Sequence, residues 1–174
     1  IAGAIAMSGQ VDRYTFTLDA ARTVLFDGLA DADMRWTLSG PQGTVVGETD
    51  LRYADSFNGF TRLALPAGSY TLSVYGSGGT TGRYALRLLD VATATSVTPG
   101  TVVEDVLLPG RETRLYAFDG KAGDRLFFDA ISTREGDTSW RLIDPFGRVL
   151  FTTNLSSNVD VQTLAHTGRY LLAV

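Results

Sequence analysis

The sequence predicts an all-β protein built as two tandem, jelly-roll-like antiparallel β-sandwiches. Three observations support this prediction: short segments alternate between apolar and polar residues, turn signals separate these segments, and the same ordered set of segments occurs twice. No segment carries an apolar stripe of helical period with capping residues at its ends. We therefore place a first sandwich at residues 1–91 and a second at residues 92–174.

The repeat consists of aligned blocks whose offset changes only between blocks. The matching blocks are YTF (14–16) with YAF (116–118), LFD (25–27) with FFD (127–129), WTL (36–38) with WRL (140–142), GPQG (40–43) with DPFG (144–147), and AGSYTLSV (67–74) with TGRYLLAV (167–174). Insertions and deletions therefore fall in the segments between blocks. Loops tolerate such length changes and core strands do not, as expected for a duplicated β unit.

Within each block the apolar residues recur at every second position. Tyr14, Phe16 and Leu18, for example, alternate with polar residues, which is typical of a strand with one buried face. Proline and glycine in turns such as GPQG and DPFG separate these strands. The segment DVATATSVTPGT (90–101) has no aromatic residue and is rich in threonine and alanine, so we predict that it is the linker.

Composition limits the classes of function. A hydrophobic content of 44% is ample for a buried core, and a formal net charge of -4 argues against binding to phosphate backbones. The chain has no cysteine, so it forms no disulfides, and it has no apolar run of 18 or more residues. We expect no nucleic-acid partner and no insertion into a membrane.

The sequence carries no arrangement that predicts catalysis. Its only histidine, His166, lies in a predicted turn where the first unit has Pro66. The nucleophile motif Gly-x-Ser-x-Gly does not occur, and the glycine-rich YGSGGTTG (75–82) lacks the spacing and the lysine of phosphate-binding loops. We therefore expect that the chain is not an enzyme.

Two acidic loops are the candidate metal sites. Asp31 and Asp33 lie two residues apart, and Glu135 and Asp137 repeat this spacing in the second unit. Carboxylates at this spacing can point to one side of an extended loop, and calcium takes oxygen ligands. Calcium is thus the one cofactor that the sequence suggests. The alternative, which we favour, is that Asp33 and Asp137 hydrogen-bond to the backbone of their own loops in Asx turns.

Four aromatic residues are candidates for contact with a ligand. Trp36 and Trp140 lie in phase with the apolar residues of their strands, so filling the core is favoured over stacking on sugars. Tyr53 and Tyr75 follow no apolar phase and have no aromatic match in the second unit. We therefore select Tyr53 and Tyr75 as the ligand-binding candidates.

An ordered set of four motifs supports a family resemblance. The set consists of the opening strands VDRYTFTL and ETRLYAFD, the acidic loop and strand ADADMRWTL, the glycine-tyrosine strand PAGSYTLSVYG and the closing strand GRYALRLLD. In this order the motifs resemble the bacterial pre-peptidase C-terminal domain, a β-sandwich module of secreted proteins, over essentially the whole chain. The resemblance implies noncatalytic extracellular modules, some of which aid secretion or bind polymeric substrates, with calcium in collagen-binding relatives.

These observations predict a noncatalytic repeat module of a large bacterial protein that is secreted or held at the cell surface. Its expected role is that of a spacer and of an adhesive or substrate-binding region. Its expected partners are an extracellular polysaccharide or protein polymer and neighbouring repeats of the same chain. Two alternatives stay open: a calcium-assisted, lectin-like carbohydrate-binding module, and a processed C-terminal appendage of a secreted hydrolase.

The second unit is expected to lack its last strand. After AGSYTLSV (67–74) the first unit continues through a glycine-rich hairpin into GRYALRLLD (82–90), whereas nothing follows the matching TGRYLLAV (167–174). An unpaired sheet edge with uncovered apolar surface recruits other strands. We therefore expect a strand beyond Val174, or one from another chain, to fill this place.

Overall fold

The computed structural model describes residues 1–30, 33–53, 62–108, 111–131 and 138–174. In these ranges the regular structure consists of β strands and of short 3-10 turns at Leu51–Tyr53, Ser77–Gly79 and Val91–Thr93. The strands form several antiparallel sheets, so the predicted all-β sandwich class is confirmed. No helix among the described residues is long and apolar enough to cross a membrane.

The chain divides into two compact units. Unit 1 comprises Ile1–Ala92 and Leu107–Glu112, and unit 2 comprises Thr93–Val106 and Thr113–Val174. The sequence had assigned residues 107–112 to the second unit. In the structure they group with unit 1, where the buried Glu112 carboxylate lies 3.3 Å from the Arg87 guanidinium. The predicted linker is part of unit 2 from Thr93 onward, and Thr95–Ser96 is a strand there.

The described residues of unit 1 form eight strands in two four-stranded sheets. In chain order the strands are β1 (Ala2–Ile5), β2 (Val11–Leu18), β3 (Arg22–Gly28), β4 (Met34–Gly40), β5 (Gly43–Asp50), β6 (Arg62–Leu65), β7 (Gly68–Gly76) and β8 (Gly82–Asp90). The sheet orders are β1-β8-β3-β6 and β2-β7-β4-β5, with antiparallel pairing throughout. Eight strands in these two orders form a jelly roll.

The core of unit 1 lies between its two sheets. On β4 the inward-facing Met34, Trp36 and Leu38 are at most 1% exposed, and on β8 Tyr84 and Leu86 are at most 2% exposed. These residues stand at every second position, as the sequence pattern predicts. Full burial of one aliphatic or aromatic side chain of this kind contributes about 1.5–3 kcal/mol to folding.

The described residues of unit 2 form seven strands in two sheets of unequal size. In chain order the strands are β9 (Thr95–Ser96), β10 (Leu115–Gly120), β11 (Arg125–Phe128), β12 (Ser139–Ile143), β13 (Val149–Asn154), β14 (Val159–Thr163) and β15 (Gly168–Ala173). The larger sheet has the order β13-β12-β15-β10-β9, and the smaller sheet pairs β11 with β14. Phe118, Leu142, Leu164 and Tyr170 are buried together, so unit 2 has its own core.

The sequence repeat aligns β10 to β15 of unit 2 with β2 to β7 of unit 1. The larger sheet of unit 2 therefore repeats the order β2-β7-β4-β5, with β9 added in parallel at the edge of β10. The smaller sheet repeats only β3 and β6. Among the described residues of unit 2, no strand takes the place of β1 or β8. That the second unit lacks its last strand stays a prediction for the chain as a whole.

The glycine-tyrosine motif has the same role in both units. The Tyr70 hydroxyl donates a hydrogen bond to the Pro66 carbonyl at 2.6 Å, and the Tyr170 hydroxyl donates to the His166 carbonyl at 2.7 Å. Each tyrosine thereby ties the start of a core strand to the turn before it, as in the tyrosine corners of other sandwiches.

The glycine of this motif packs against the proline of the other repeated turn. Gly68 and Gly168 have φ angles of 144° and 152°, which favour glycine. A Cβ atom at Gly68 would lie 2.7 Å from Pro41 Cγ, and one at Gly168 would lie 2.8 Å from Pro145 Cγ. The two motifs recur together because the side chain of one packs on the backbone of the other.

Both tryptophans are buried at equivalent strand positions, which confirms the prediction that they fill the core. Trp36 is 0% exposed and Trp140 is 5% exposed. Trp36 stacks on Phe26 with ring centroids 3.8 Å apart, whereas Trp140 meets Phe128 edge-on at 6.2 Å. Neither indole is available to stack on a sugar.

Candidate functional site

The outward face of the sheet β2-β7-β4-β5 carries mostly hydroxyl side chains. Its members alternate along the strands with the buried core residues: Thr15, Thr17, Thr37, Ser39, Ser69, Thr71 and Ser73. None of them is buried. We call this surface the hydroxyl face, and the strand register places Arg35 and Tyr75 at one end of it.

Tyr75 is held in place by a carboxylate. It is the last outward-facing residue of β7, it pairs with Arg35 on β4, and its hydroxyl donates a hydrogen bond to Glu48 Oε2 at 2.6 Å. This hydrogen bond, together with burial and the nearby negative charge, raises the pKa of the Tyr75 hydroxyl above its ordinary value. The phenol is therefore neutral at physiological pH, and its ring has a fixed orientation.

Asp50 and Arg52 continue the polar network at this end of the face. Asp50 pairs with Arg35 across β4 and β5, and it accepts hydrogen bonds from Arg52 Nε at 3.2 Å and Arg52 Nη2 at 2.9 Å. The hydrogen bonds from Arg52 hold the pKa of Asp50 below its ordinary value, although burial acts in the opposite direction. Asp50 is thus a buried anion with two arginines beside it.

Tyr53 lies next to this network and is 54% exposed. The Arg52 guanidinium lies 5.9 Å from the centroid of its ring, within the range of a cation–π contact. The structure therefore places both candidate tyrosines beside the same charged residues: Tyr75 stands opposite Arg35 in the strand register, Arg35 lies 4.0 Å from Asp50, and Arg52 joins Asp50 to Tyr53. We call these residues the tyrosine–arginine cluster: Arg35, Glu48, Asp50, Arg52, Tyr53 and Tyr75.

The sequence identified only the two tyrosines of this cluster. Arg35 was detectable as an outward-facing residue, because it lies in phase with the polar residues of its strand. Asp50 and Arg52 gave a weaker signal, an acid and a base two residues apart. The contact between Glu48 and Tyr75 joins positions 27 residues apart, and no local pattern predicts it.

Of the four predicted metal ligands, the structure describes only Asp33. Asp31, Glu135 and Asp137 lie outside the described residues. The described partner of the Asp33 carboxylate is Arg52, at 3.2 Å, rather than a backbone N–H of its own loop. No group of three His, Cys, Asp or Glu side chains in the described ranges is arranged to hold a metal ion. The calcium site stays a prediction.

Unit 2 has a shallow depression beside β9 and β10. It is lined by Ser96, Val97, Ala117, Phe118, Asp119 and Arg169 and has a volume of about 70 Å³. Sites for small molecules enclose roughly 300–1,000 Å³. This depression has room for a few water molecules and not for a substrate.

His166 lies in the turn before β15, and its side chain has structural neighbours. Its Nε2 lies 2.8 Å from Arg148 Nη2, and its ring meets Phe146 edge-on with centroids 4.8 Å apart. Its carbonyl accepts the hydrogen bond from Tyr170. All three contacts hold the turn before β15 in its conformation.

No protein-family model matches the chain, and a search of curated proteins finds no significant match. The resemblance to the pre-peptidase C-terminal domain thus rests on the sequence motifs alone.

Proposed function

We propose that the chain is a noncatalytic β-sandwich module of a secreted or surface-held bacterial protein. It acts as a spacer and binds a neutral extracellular polysaccharide through the tyrosine–arginine cluster. The observation that carries this proposal is that Tyr53 and Tyr75 lie beside adjacent polar groups at the end of the hydroxyl face, Tyr75 bonded to Glu48 and Tyr53 next to the Arg52–Asp50 pair.

The chemistry of the cluster suits sugar rings. Tyrosine offers a flat apolar surface with a polar edge and loses little conformational entropy on binding, because it has only two side-chain torsions. Guanidinium and carboxylate groups form strong hydrogen bonds with hydroxyl groups. The bonds from Tyr75 to Glu48 and from Arg52 to Asp50 fix these side chains in advance, which lowers the entropic cost of binding.

The charge of the cluster favours a neutral polymer. Arg35 and Arg52 lie beside three carboxylates, those of Glu48, Asp50 and Asp33, and the whole chain has a formal net charge of -4. A polyanion gains no steering from such a surface. A neutral polysaccharide binds without electrostatic steering.

The buried carboxylates support a noncatalytic role. Asp27, Asp50 and Asp144 are each at most 5% exposed, and each is paired with an arginine. Buried acids in ion pairs stay charged and stabilise the fold, whereas a general acid needs a raised pKa and contact with substrate. The sequence resemblance to modules of secreted proteins supports the location and the spacer role.

Affinity electrophoresis in gels that contain soluble neutral β-glucan, xylan or galactomannan tests the proposal. At least one polymer should retard the chain. Tyr53→Ala and Tyr75→Ala should each weaken binding by about tenfold, as expected for aromatic anchors. Phe146→Ala is the matched control, because Phe146 is 71% exposed on unit 2 and lies outside the cluster.

Four results would overturn or redirect the proposal. Absence of retardation by every polysaccharide, or a double tyrosine variant that binds like the parent chain, would refute it. Retardation by gelatin alone would assign a protein polymer instead. Loss of polysaccharide binding in chelator, with recovery in millimolar calcium, would replace the calcium-independent site with the calcium-assisted alternative.

A further inference from the structure

Two turns of unit 2 share a group of four side chains. The turn between β12 and β13 carries Asp144, Phe146 and Arg148, and the turn before β15 carries His166. We call these four residues the turn cluster. Asp144 is 2% exposed and accepts hydrogen bonds from the backbone N–H groups of Phe146 and Arg148, at 2.9 and 2.8 Å, and from Arg148 Nε at 2.8 Å. The buried carboxylate thus holds the guanidinium in one direction, while the two backbone N–H groups take up part of the negative charge.

Arg148 and His166 carry N–H groups that no described residue accepts. Arg148 Nη2 lies 2.8 Å from His166 Nε2. A guanidinium only donates hydrogen bonds, so Nε2 is the acceptor and the imidazole proton lies on Nδ1. Neither His166 Nδ1 nor Arg148 Nη1 has a hydrogen-bond partner among the described residues. The Arg148 side chain is 62% exposed, so a ligand can reach these donors from solvent.

Phe146 adds an apolar surface beside the donors. Its ring meets the His166 ring edge-on with centroids 4.8 Å apart, and the residue is 71% exposed. An aromatic ring positioned in this way offers a flat contact surface and loses little conformational entropy on binding. The turn cluster therefore combines one apolar ring with two sets of oriented hydrogen-bond donors.

Unit 1 forms the same corner without these side chains. The aligned turns place Gly40, Gln42, Thr44 and Pro66 at the positions of Asp144, Phe146, Arg148 and His166. The tyrosine corner and the contact between glycine and proline nevertheless occur in both units with nearly the same distances. The corner therefore does not require the turn cluster, and the joint presence of its four side chains in unit 2 points to a further role.

We propose that Phe146, Arg148 and His166 bind a uronic acid unit of a polysaccharide. The guanidinium and the imidazole Nδ1–H donate charge-assisted hydrogen bonds to the carboxylate, and the sugar ring lies against the exposed Phe146 ring. The open position suits one unit within a polymer, because a small free acid needs a pocket that encloses most of its surface. The formal net charge of -4 disfavours a densely charged polyanion, so the expected polymer carries uronic acids sparsely among neutral units.

Titration of the full chain with methyl β-glucuronide and with methyl β-glucoside, followed by the backbone NMR signals of residues 144–148, tests this proposal. The two probes differ only in that a carboxylate replaces a CH₂OH group. The glucuronide should shift these signals saturably and bind at least about tenfold more tightly than the glucoside, because only the glucuronide accepts charge-assisted hydrogen bonds.

Two variants install the residues that unit 1 has at the equivalent positions. Arg148→Thr and Phe146→Gln should each weaken binding of the glucuronide by about tenfold. Arg148→Lys keeps the charge but loses the planar fork, and it should weaken binding as well. Arg125→Thr is the matched control, since it removes an exposed arginine of β11 that has no described partner and changes the net charge by the same amount. It should leave the affinity unchanged.

Thermal unfolding of each variant guards against loss of the fold. Absence of a saturable shift, equal affinity for the two probes, or unchanged affinity in Arg148→Thr or Phe146→Gln would overturn the proposal. Equal weakening by Arg125→Thr would show that only the net charge matters, and would overturn it too. Binding of acetate as tight as that of the glucuronide would assign a carboxylate without a sugar ring. Neutral polysaccharides lack the carboxylate and are proposed to bind unit 1, so the two proposals fail independently.

Discussion

The strands β3 and β11 carry nearly the same motif, LFD and FFD, in different surroundings. Asp27 of β3 is fully buried and bonded to Arg87 of β8, whereas Asp129, the residue that follows β11, is exposed. The same contrast holds for the aromatic pairs, since Phe26 stacks on Trp36 at 3.8 Å and Phe128 meets its tryptophan at 6.2 Å. The comparison teaches that neighbouring strands, rather than the motif itself, decide burial and packing.

Among these predictions, replacement of the two equivalent tryptophans should give the largest difference between the units in the loss of unfolding free energy. Trp36→Ala should destabilise unit 1 by about 3–5 kcal/mol, because it removes a fully buried indole from tight contact with Phe26. Trp140→Ala should cost unit 2 less, since that indole is 5% exposed and makes only edge-on contacts with Phe128 and Phe151. Guanidinium titrations followed by NMR signals from each unit measure both values. A loss of unfolding free energy for Trp140→Ala that equals or exceeds the loss for Trp36→Ala would contradict this prediction.

Replacement of the equivalent aspartates, Asp27 and Asp129, should give almost as large a difference in the loss of unfolding free energy. Asp27→Asn removes the fully buried one of the two carboxylates that pair with Arg87 and should cost about 3 kcal/mol, the lower end of the range for broken buried ion pairs. Asp129→Asn should change stability by less than about 0.5 kcal/mol, as surface substitutions do. Urea unfolding of the two variants checks this. A marked loss for Asp129→Asn would mean that its carboxylate already has a partner.

The tyrosine corners, in contrast, should behave alike. Tyr70→Phe and Tyr170→Phe each remove the hydrogen bond to the carbonyl of the preceding turn, of 2.6 Å and 2.7 Å, and Tyr170→Phe also removes a longer one of 3.3 Å from the His166 N–H. Each should cost about 1–2 kcal/mol in its own unit. Thermal unfolding measures both losses. A loss of stability for Tyr70→Phe alone would show that the tyrosine corner stabilises only unit 1, in which the sheet β1-β8-β3-β6 has four strands.

Acid should weaken both units through one buried carboxylate each. Hydrogen bonds from Arg52 lower the pKa of Asp50, and for Asp144 burial opposes ionisation but the hydrogen bonds from Arg148 and Phe146 still lower its pKa. Because the folded pKa lies below the unfolded value of about 3.9, each acid stabilises its unit above that pH and loses this effect as the pH falls further. Unfolding measured from pH 7 to pH 2 should show this loss, and Asp50→Asn and Asp144→Asn should flatten the acid dependence of their own units. Unchanged slopes would contradict the assignment.

Sequence reasoning succeeded where the signal is local. Alternation identified the strands and placed Trp36 and Trp140 in the core, and the repeated turn motifs identified equivalent positions. Sequence reasoning failed where a contact between two residues depends on which segments of the chain lie side by side. The pairing of Arg35 with Asp50 depends on β5 lying beside β4, and the contact of Glu112 with Arg87 joins positions 25 residues apart that no local pattern connects.

The central claim is that, among the residues that the structure describes, β3 is paired on both edges and β11 on one. The N–H of Leu29 donates to β8, and Leu25 and Asp27 lie in phase with it, so their N–H groups point the same way. From the repeat alignment, the N–H groups of their equivalents, Phe127 and Asp129, are expected on the edge of β11 with which no described strand pairs. Native-state amide hydrogen exchange should therefore show Leu25 and Asp27 protected to the level of the unit 1 core, with Phe127 and Asp129 exchanging faster by about a hundredfold or more. Equal protection of the two pairs would contradict the account.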